Sequence, residues 1–278
     1  MENKRKYKIV ASDLDGTLLN KEQTVSEENL HAIAQMNSLG VEFVPTTGRG
    51  MNEIDPLLIN SPDIRYIIAS NGAVVFDKSI EKTILTRYIS KDTVRLTLET
   101  LRPYNVFIVV HEGGKTYYDK HKYTPEFLSL CGVGEYYGYI IGKYAEGVDG
   151  FESFLLSSDE VELICLFFEL DESNRSSKQI FEDCGKLCVA SPNKNYLEVY
   201  SSDAGKGKVL AAFADKLGVD IEDVIAVGDS NNDATMIEKA GLSLAVANAC
   251  DSLKELADQT ICDNSEHIAK YVLENYII

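Results

Sequence analysis

The sequence IVASDLDGTL occupies residues 9–18 and places two carboxylates directly after a short apolar run. Asp13 and Asp15 are two positions apart, so in an extended strand both side chains begin on the same side. Gly16 then allows the backbone to turn sharply. Two acids at the end of a buried strand repel each other and lose hydration, which a cation between them would offset. Because Mg²⁺ prefers oxygen ligands, the stretch predicts a magnesium site and phosphoryl chemistry beside it.

The composition is typical of a globular protein and is sufficient for one large domain or two smaller ones. The chain has 278 residues, of which 45% are hydrophobic and 26% are charged. Its formal net charge is −17. Nucleic acids and anionic membranes require a basic patch, so this charge argues against both as partners. An anionic small-molecule substrate would need local cations, because the overall field opposes its binding.

The cysteines indicate the redox environment of the protein. Six are present, without a CxxC pair and without the spacing of a zinc site. We therefore expect six reduced thiols and a cytoplasmic location. No apolar stretch reaches the length of a transmembrane helix, so we expect no membrane-spanning segment.

Strands and helices alternate at both ends of the chain, which predicts an α/β fold with a Rossmann-like parallel sheet. The predicted strands are short and apolar, at 8–12, 41–44, 66–69, 73–76, 224–227, 242–247 and 260–262. The predicted helices lie at 27–40, 51–59, 205–217, 232–240, 252–257 and 266–275. Asn71-Gly72 predicts a tight turn between the third and fourth strands.

The middle of the chain has a different pattern. Between about 86 and 201 the strands are longer and more separated, as at 106–110 and 196–200, and this window holds 11 of the 15 tyrosines. The glycine-rich stretch 131–150 predicts a loop with little regular structure. We infer an α+β domain, 86–201, inserted into a core formed by 1–85 plus 202–278.

Four polar clusters follow predicted core strands or open predicted core helices. They are Asp13–Thr17, Thr46–Arg49, Gly205–Gly207 and Gly228–Asp233. Open parallel sheets bind ligands beyond the carboxyl ends of their strands. We therefore expect the four clusters to converge on one site.

This ordered set of motifs resembles that of the haloacid dehalogenase superfamily of phosphatases. The matching motifs are DxDGT at residue 13, TGR at 47, a late Lys-Gly pair at 206 and GDxxND at 228. The insert follows the third core strand and resembles the large α/β cap of the Cof class, type IIB. The resemblance implies Mg²⁺-dependent hydrolysis of sugar phosphates or similar small phosphomonoesters. Pyridoxal phosphate and flavin mononucleotide phosphatases share this architecture, so the substrate stays open.

The residue types in these clusters are suited to phosphoryl transfer. Asp13 can attack phosphorus in line and form an aspartyl-phosphate. Asp15 can protonate the leaving alkoxide and later take a proton from the hydrolytic water. Lys206 can offset negative charge at the nucleophile and at the phosphoryl group. Thr47 and Asn232 can donate hydrogen bonds to phosphoryl oxygens.

The expected metal ligands are all oxygens. The carboxylates of Asp13 and Asp229 can bind Mg²⁺ directly. The resemblance implies that the main-chain carbonyl of Asp15 adds a third ligand. Asp233 would position the metal shell from behind these ligands.

Four of the assignments have structural alternatives. Gly48 and Arg49 belong to the expected phosphate-binding motif, but Arg49 could instead pair with a core acid. Thr47 could merely cap a helix, and Lys206 could be an ordinary exposed helix residue. Asn71 could line the mouth of the site or only form its turn.

Three functions are compatible with this pattern. The first is a Mg²⁺-dependent phosphatase that uses an aspartyl-phosphate intermediate. The second is a phosphomutase with the same intermediate, which would return the phosphoryl group to its substrate. The third is a non-catalytic phospho-receiver or metabolite-binding module, against which Asp15, the GDxxND motif and the large insert all argue.

Overall fold

The computed structural model describes residues 7–169 and 173–278, which form two compact units. The first unit comprises 7–48, 54–86 and 206–278, and the second comprises 49–53 and the described part of 87–205. The assignment of 1–85 plus 202–278 as a catalytic core and of 86–201 as its cap stays a prediction, and residues 1–6 and 170–172 of those ranges lie outside the described residues. No helix in the described ranges combines the length and the apolar character needed to span a membrane.

The strands of the described residues are labelled in chain order. They are β1 (Ile9–Ser12), β2 (Glu42–Pro45), β3 (Tyr66–Ala69), β4 (Val74–Asp77), β5 (Lys82–Thr86), β6 (Val106–Glu112), β7 (Lys115–Asp119), β8 (Ala145–Val148), β9 (Val161–Phe168), β10 (Leu187–Asn193), β11 (Tyr196–Ser201), β12 (Val224–Gly228), β13 (Leu242–Ala245) and β14 (Gln259–Thr260).

The α-helices of the same residues are labelled in the same way. They are α1 (Glu27–Ser38), α2 (Pro56–Ile59), α3 (Lys91–Leu101), α4 (Pro125–Leu130), α5 (Glu135–Tyr144), α6 (Phe151–Ser157), α7 (Ser173–Asp183), α8 (Lys206–Lys216), α9 (Ala234–Ile237), α10 (Asp251–Leu256) and α11 (Ile268–Val272).

The first unit is built on a parallel sheet with the strand order β14-β13-β12-β1-β2. All four residues of β1 are buried, because this strand lies between β12 and β2 and is covered on both faces. The parallel sheet and the inserted α+β unit confirm the predicted fold class.

The strand β3 is arranged differently from the prediction that it completes the parallel sheet. It forms an antiparallel sheet with β4 and β5. It touches the parallel sheet beyond the end of β2, through a parallel bridge between Thr46 and Ile68 and a 2.9 Å hydrogen bond from Thr47 N to Ile68 O. The polar residues that follow β2 and β3 are therefore held side by side.

The prediction of a continuous helix over 51–59 is wrong. The chain forms a short turn at Met51–Glu53 and then a separate helix, α2, that begins at Pro56. Asp55 caps this helix by accepting a 2.8 Å hydrogen bond from Leu57 N. Proline lacks an N–H and is favoured in the first turn of a helix, so a new helix begins there instead of a continuous one.

The prediction that 131–150 is a loop is also wrong, because this stretch contains α5 and β8. The glycines at 138 and 142 lower helix propensity by about 1 kcal/mol each. Burial offsets that effect, since Ile141 packs with Phe107, Val109 and Phe167 against the sheet of the second unit. The strand β8 then pairs in parallel with β7. The remaining predicted elements are present, with ends shifted by one to a few residues.

The second unit is a six-stranded sheet in the order β10-β11-β9-β6-β7-β8, with helices on both faces. Several of its tyrosines are packing residues. Tyr196 stacks on Phe167 with ring centroids 4.5 Å apart, and Tyr137 packs beside both. All six cysteines of the chain are free thiols, as predicted.

Candidate active site

Asp13 lies directly after β1, at the carboxyl edge of the parallel sheet. Its backbone N–H donates a 3.0 Å hydrogen bond to Val227 O of β12, which fixes the end of one strand against the next. Gly16 follows with φ of +78°, in the left-handed region. A Cβ at this position would overlap the Asp229 carboxylate, so only glycine lets this loop approach the loop after β12.

Lys206 joins three of the four predicted clusters. It is the first residue of α8 and is only 1% exposed, which excludes the alternative of an ordinary surface lysine. Its Nζ lies 2.7 Å from Asp13 Oδ1 and 2.6 Å from Asp233 Oδ1. Gly207 allows α8 this close approach, because a Cβ there would overlap the main chain of Thr235.

Asp233 supports the site by accepting hydrogen bonds with both of its carboxylate oxygens. One oxygen, Oδ1, accepts the hydrogen bond from Lys206. The other, Oδ2, accepts from Asp229 N at 3.0 Å and from Ser230 N at 3.1 Å. The side chain is fully buried and holds the loop after β12 in place. The role expected for Asp233, positioning the metal shell, stays a prediction.

Asp13, Asp229 and Asp233 form an acidic cluster whose carboxylate oxygens lie within 4.8 Å of one another. Asp229 Oδ1 is buried and has no hydrogen-bond partner. An unsatisfied buried carboxylate oxygen is costly unless a cation or a proton reaches it. The donor set therefore fits a hard divalent cation that takes oxygen ligands.

The charges of the cluster perturb the ionisation of its members. Burial raises the pKa of Asp13 well above its usual value, and the carboxylates of Asp233, Asp229 and Asp15 act in the same direction against Lys206. Burial and the charge of Asp233 raise the pKa of Asp229 to about 7. Burial lowers the pKa of Lys206, but Asp13 and Asp233 outweigh it and keep the ammonium group charged. The site thus has an excess of negative charge that attracts cations.

The predicted phosphate-binding residues Thr47, Gly48 and Asn232 are brought together by Asn71. Asn71 N donates a 3.0 Å hydrogen bond to Thr47 O, and Asn71 Oδ1 accepts a 3.4 Å contact from Asn232 Nδ2. A Cβ at Gly48 would lie 3.1 Å from Asn71 Oδ1. In the sequence, only the turn signal of Asn71-Gly72 after a core strand pointed to this residue.

Arg49 belongs to the second unit. Its guanidinium donates to Glu53 O and to the hydroxyl of Tyr136, each at 3.1 Å. Both proposed roles for Arg49, contact with substrate and pairing with a core acid, stay predictions. Asp15 is half-buried, and its charge acts on both Asp13 and Asp229.

The chain is similar to known proteins along nearly its whole length. The model of the haloacid dehalogenase-like hydrolase family matches residues 10–272. The chain is 29% identical over 293 residues to the 5-amino-6-(5-phospho-D-ribitylamino)uracil phosphatase YwtE of Bacillus subtilis (strain 168), with 97% of this chain and 98% of that one covered. It is 28% identical over 290 residues to the phosphatase YwpJ of the same strain, with 97% and 100% covered.

Solved structures give the same result for the fold. A haloacid dehalogenase-like hydrolase from B. subtilis superposes with a TM-score of 0.81 at 27% identity, covering 96% of this chain and 99% of that one. The subclass IIB sugar phosphatase BT4131 superposes with a TM-score of 0.79 at 19% identity, covering 98% and 100%, and this likeness shows the fold alone. The chain belongs to the haloacid dehalogenase-like hydrolases, with the fold of the Cof-type subclass IIB, and is a phosphoric monoester hydrolase.

Proposed function

We propose that the protein is a Mg²⁺-dependent phosphatase that hydrolyses small phosphomonoesters through an aspartyl-phosphate on Asp13. The observation that carries this proposal is the contact between Lys206 Nζ and Asp13 Oδ1 at 2.7 Å, beside a cluster of three buried or partly buried acids. A lysine in this position steers and orients the nucleophilic carboxylate and offers charge to the incoming phosphoryl group.

The reaction has two steps. In the first, a carboxylate oxygen of Asp13 attacks phosphorus, the bond from phosphorus to the ester oxygen breaks, and Asp15 gives its proton to the leaving alkoxide. In the second, a water oxygen attacks phosphorus and the water gives its proton to Asp15. The bond from phosphorus to the Asp13 oxygen breaks, inorganic phosphate leaves, and Asp13 is again a carboxylate. Lys206 stabilises the charge of the phosphoryl oxygens throughout, and Thr47 and Asn232 donate hydrogen bonds to them.

Three oxygens would hold Mg²⁺: the carboxylates of Asp13 and Asp229 and the main-chain carbonyl of Asp15. When bound, the ion would supply charge neutralisation for the phosphoryl group. Asp233 would act without touching the ion, because both of its oxygens already accept hydrogen bonds from the chain. Its role is to hold Lys206 and the loop that carries Asp229.

The proposed substrates are sugar phosphates or related small phosphomonoesters. One relative is named for the phosphate ester of a ribityl compound, and one structural neighbour is named a sugar phosphatase. The second unit would act as the cap that selects the leaving group. The net charge of −17 argues against nucleic acid and anionic membrane as partners, and the six free thiols favour the cytoplasm as the location.

The test is a phosphatase screen of sugar phosphates, nucleotides and vitamin phosphates, with Mg²⁺ and with a chelator. We expect release of inorganic phosphate that requires Mg²⁺ and that is abolished in Asp13→Asn. Asp215→Asn is a matched control, because this acid is exposed and lies near the last residue of α8, at the opposite end of the helix from Lys206.

Two other outcomes would overturn the proposal in favour of the alternatives. Formation of an isomeric phosphate that depends on an added bisphosphate would identify a phosphomutase. A long-lived phosphorylated protein without turnover would identify a receiver. Wild-type phosphate release by Asp13→Asn would remove Asp13 as the nucleophile.

A further inference from the structure

The turn between β3 and β4 has an unusual backbone. Three successive residues have positive φ: Ser70 at +50°, Asn71 at +51° and Gly72 at +86°. Glycine adopts this conformation freely, but serine and asparagine carry a strain of about 1 kcal/mol or more each. Both strained residues are buried, at 0% and 1% exposure. Strain of this kind persists only where the surroundings enforce it, and it concentrates at functional sites.

This turn contacts residues of the proposed phosphate site. The backbone N–H of Asn71 donates to Thr47 O at 3.0 Å, so the turn is tied to the TGR motif. The same turn packs against α8, the helix that begins at Lys206. The left-handed backbone therefore places Asn71 between two of the four motifs.

The side chain of Asn71 extends this connection to the fourth motif. Ser230 Oγ donates to Asn232 Oδ1 at 2.6 Å, which leaves the amide nitrogen of Asn232 as the atom that faces Asn71. Asn71 Oδ1 accepts from this nitrogen at 3.4 Å. The same oxygen lies against Gly48, where a Cβ would be 3.1 Å away. Asn232 has two N–H donors, so this contact orients the amide while the second N–H stays available to a phosphoryl oxygen.

We propose that Asn71 is a positioning residue for phosphate: its side chain orients the amide of Asn232 and packs against Gly48, and its strained backbone holds Thr47. This inference deepens the proposed phosphatase function and rests on it. Asn71 itself need not touch the substrate. Its loss should weaken the binding of the phosphoryl group in both the ground state and the transition state, which raises KM more than it lowers kcat.

The first variant is Asn71→Gly, which keeps the left-handed backbone without strain and removes only the side chain. With p-nitrophenyl phosphate as the substrate, we expect KM to rise about tenfold, the effect of one hydrogen bond to a charged group. The inhibition constant of inorganic phosphate should rise by the same factor. The melting temperature should stay level or increase, because the strain is relieved.

The matched control is Glu81→Gly. Glu81 is exposed, has φ of +52° and lies in the turn between β4 and β5, so the change relieves the same strain away from the site. Its KM should equal that of the wild type. A double-mutant cycle of Asn71→Gly with Asn232→Ala should be non-additive, since the first variant acts through the second residue.

The outcomes separate a positioning role from a structural one. An unchanged KM and phosphate inhibition constant in Asn71→Gly, or additive losses in the cycle, would overturn the inference while leaving the phosphatase proposal intact. A fall in melting temperature and kcat with KM unchanged would also overturn it, because that result assigns Asn71 to stability alone. Absence of Mg²⁺-dependent phosphate release by the wild type would overturn both proposals.

Discussion

Lys206 offers the sharpest test of how the site is held together. Its side chain is fully buried and donates to Asp13 Oδ1 at 2.7 Å and to Asp233 Oδ1 at 2.6 Å. Lys206→Met keeps an unbranched chain of similar length and removes the ammonium group. Two buried carboxylates then face each other without the cation that they share. The variant therefore measures the electrostatic contribution of the lysine with little change in packing.

The size of the stability loss in Lys206→Met follows from the two hydrogen bonds that the lysine makes. Each hydrogen bond to a charged group contributes about 1.5–3 kcal/mol, and breaking a buried ion pair typically costs about 3–5 kcal/mol. We expect the free energy of unfolding of Lys206→Met to fall by about 3–5 kcal/mol at neutral pH. For a chain of this size, that loss lowers the melting temperature by roughly 10 °C. We also expect kcat to fall by about 100-fold or more, because a charge aimed at the phosphoryl group is lost.

The stability lost in Lys206→Met should increase with pH. The pKa of Asp13 is already raised by burial, and removal of Lys206 raises it further. The folded variant then binds more protons than the unfolded chain, so its stability falls as pH rises. The loss relative to wild type should be larger at pH 8 than at pH 5. Urea unfolding at both pH values and steady-state kinetics measure the two effects.

The control is Lys216→Met, an exposed lysine in the last turn of the same helix. This variant should keep the wild-type stability and activity. A Lys206→Met protein with wild-type stability at pH 8, or with wild-type kcat, would show that the lysine is not the shared cation of the site.

Three more perturbations have defined outcomes. Asp229→Asn should raise the Mg²⁺ concentration needed for half-maximal activity by more than the ~10-fold typical of losing a group behind the ligands, because Asp229 would bind the ion directly. An unchanged titration would contradict its role as a ligand. Gly16→Ala should lose both stability and activity, because the added Cβ is strained at φ of +78° and overlaps the Asp229 carboxylate. The control Gly40→Ala has a similar φ of +76° but no atom within 4 Å of the added Cβ, so it should lose stability alone. Equal losses of activity in the two variants would be inconsistent with the overlap. Glu53→Gln should remove a buried pair in which Glu53 lies 3.5 Å from His111. Burial opposes both charges but the pairing outweighs it, so the pKa of His111 is raised and that of Glu53 is lowered. The stability lost in this variant, measured by urea unfolding, should be greatest above the usual pKa of Glu53 and should shrink as pH rises through the pKa of folded His111; a pH-independent difference would exclude the ion pair.

The parts of the fold that could be predicted are those with a local signal. The apolar run before Asp13 and the one before Asp229 each end in carboxylates, and both are strands of the parallel sheet. Ser26 Oγ caps α1 by accepting from Asn29 N at 3.2 Å, a contact between near neighbours in the sequence. In such cases a few neighbouring residues carry the information.

The parts that were missed depend on contacts between distant residues. The helix α5 exists because Ile141 packs on a sheet whose strands lie elsewhere in the sequence. Glu53 had no motif around it, yet it accepts from Gly50 N at 3.0 Å and pairs with His111 of β6. The same limit applies to Asn71, whose partners Thr47 and Asn232 are far from it in the chain.

The proposed mechanism requires that Asp13 carries the phosphoryl group during turnover. Its most direct test is to quench the enzyme with acid during reaction with a substrate and Mg²⁺, and then to locate the modification by peptide mass spectrometry. We expect one phosphoryl group on Asp13, and none on the same peptide from Asp13→Asn. A phosphoryl group on another residue, or turnover in which no phosphorylated protein accumulates even in a rapid single-turnover quench, would contradict it.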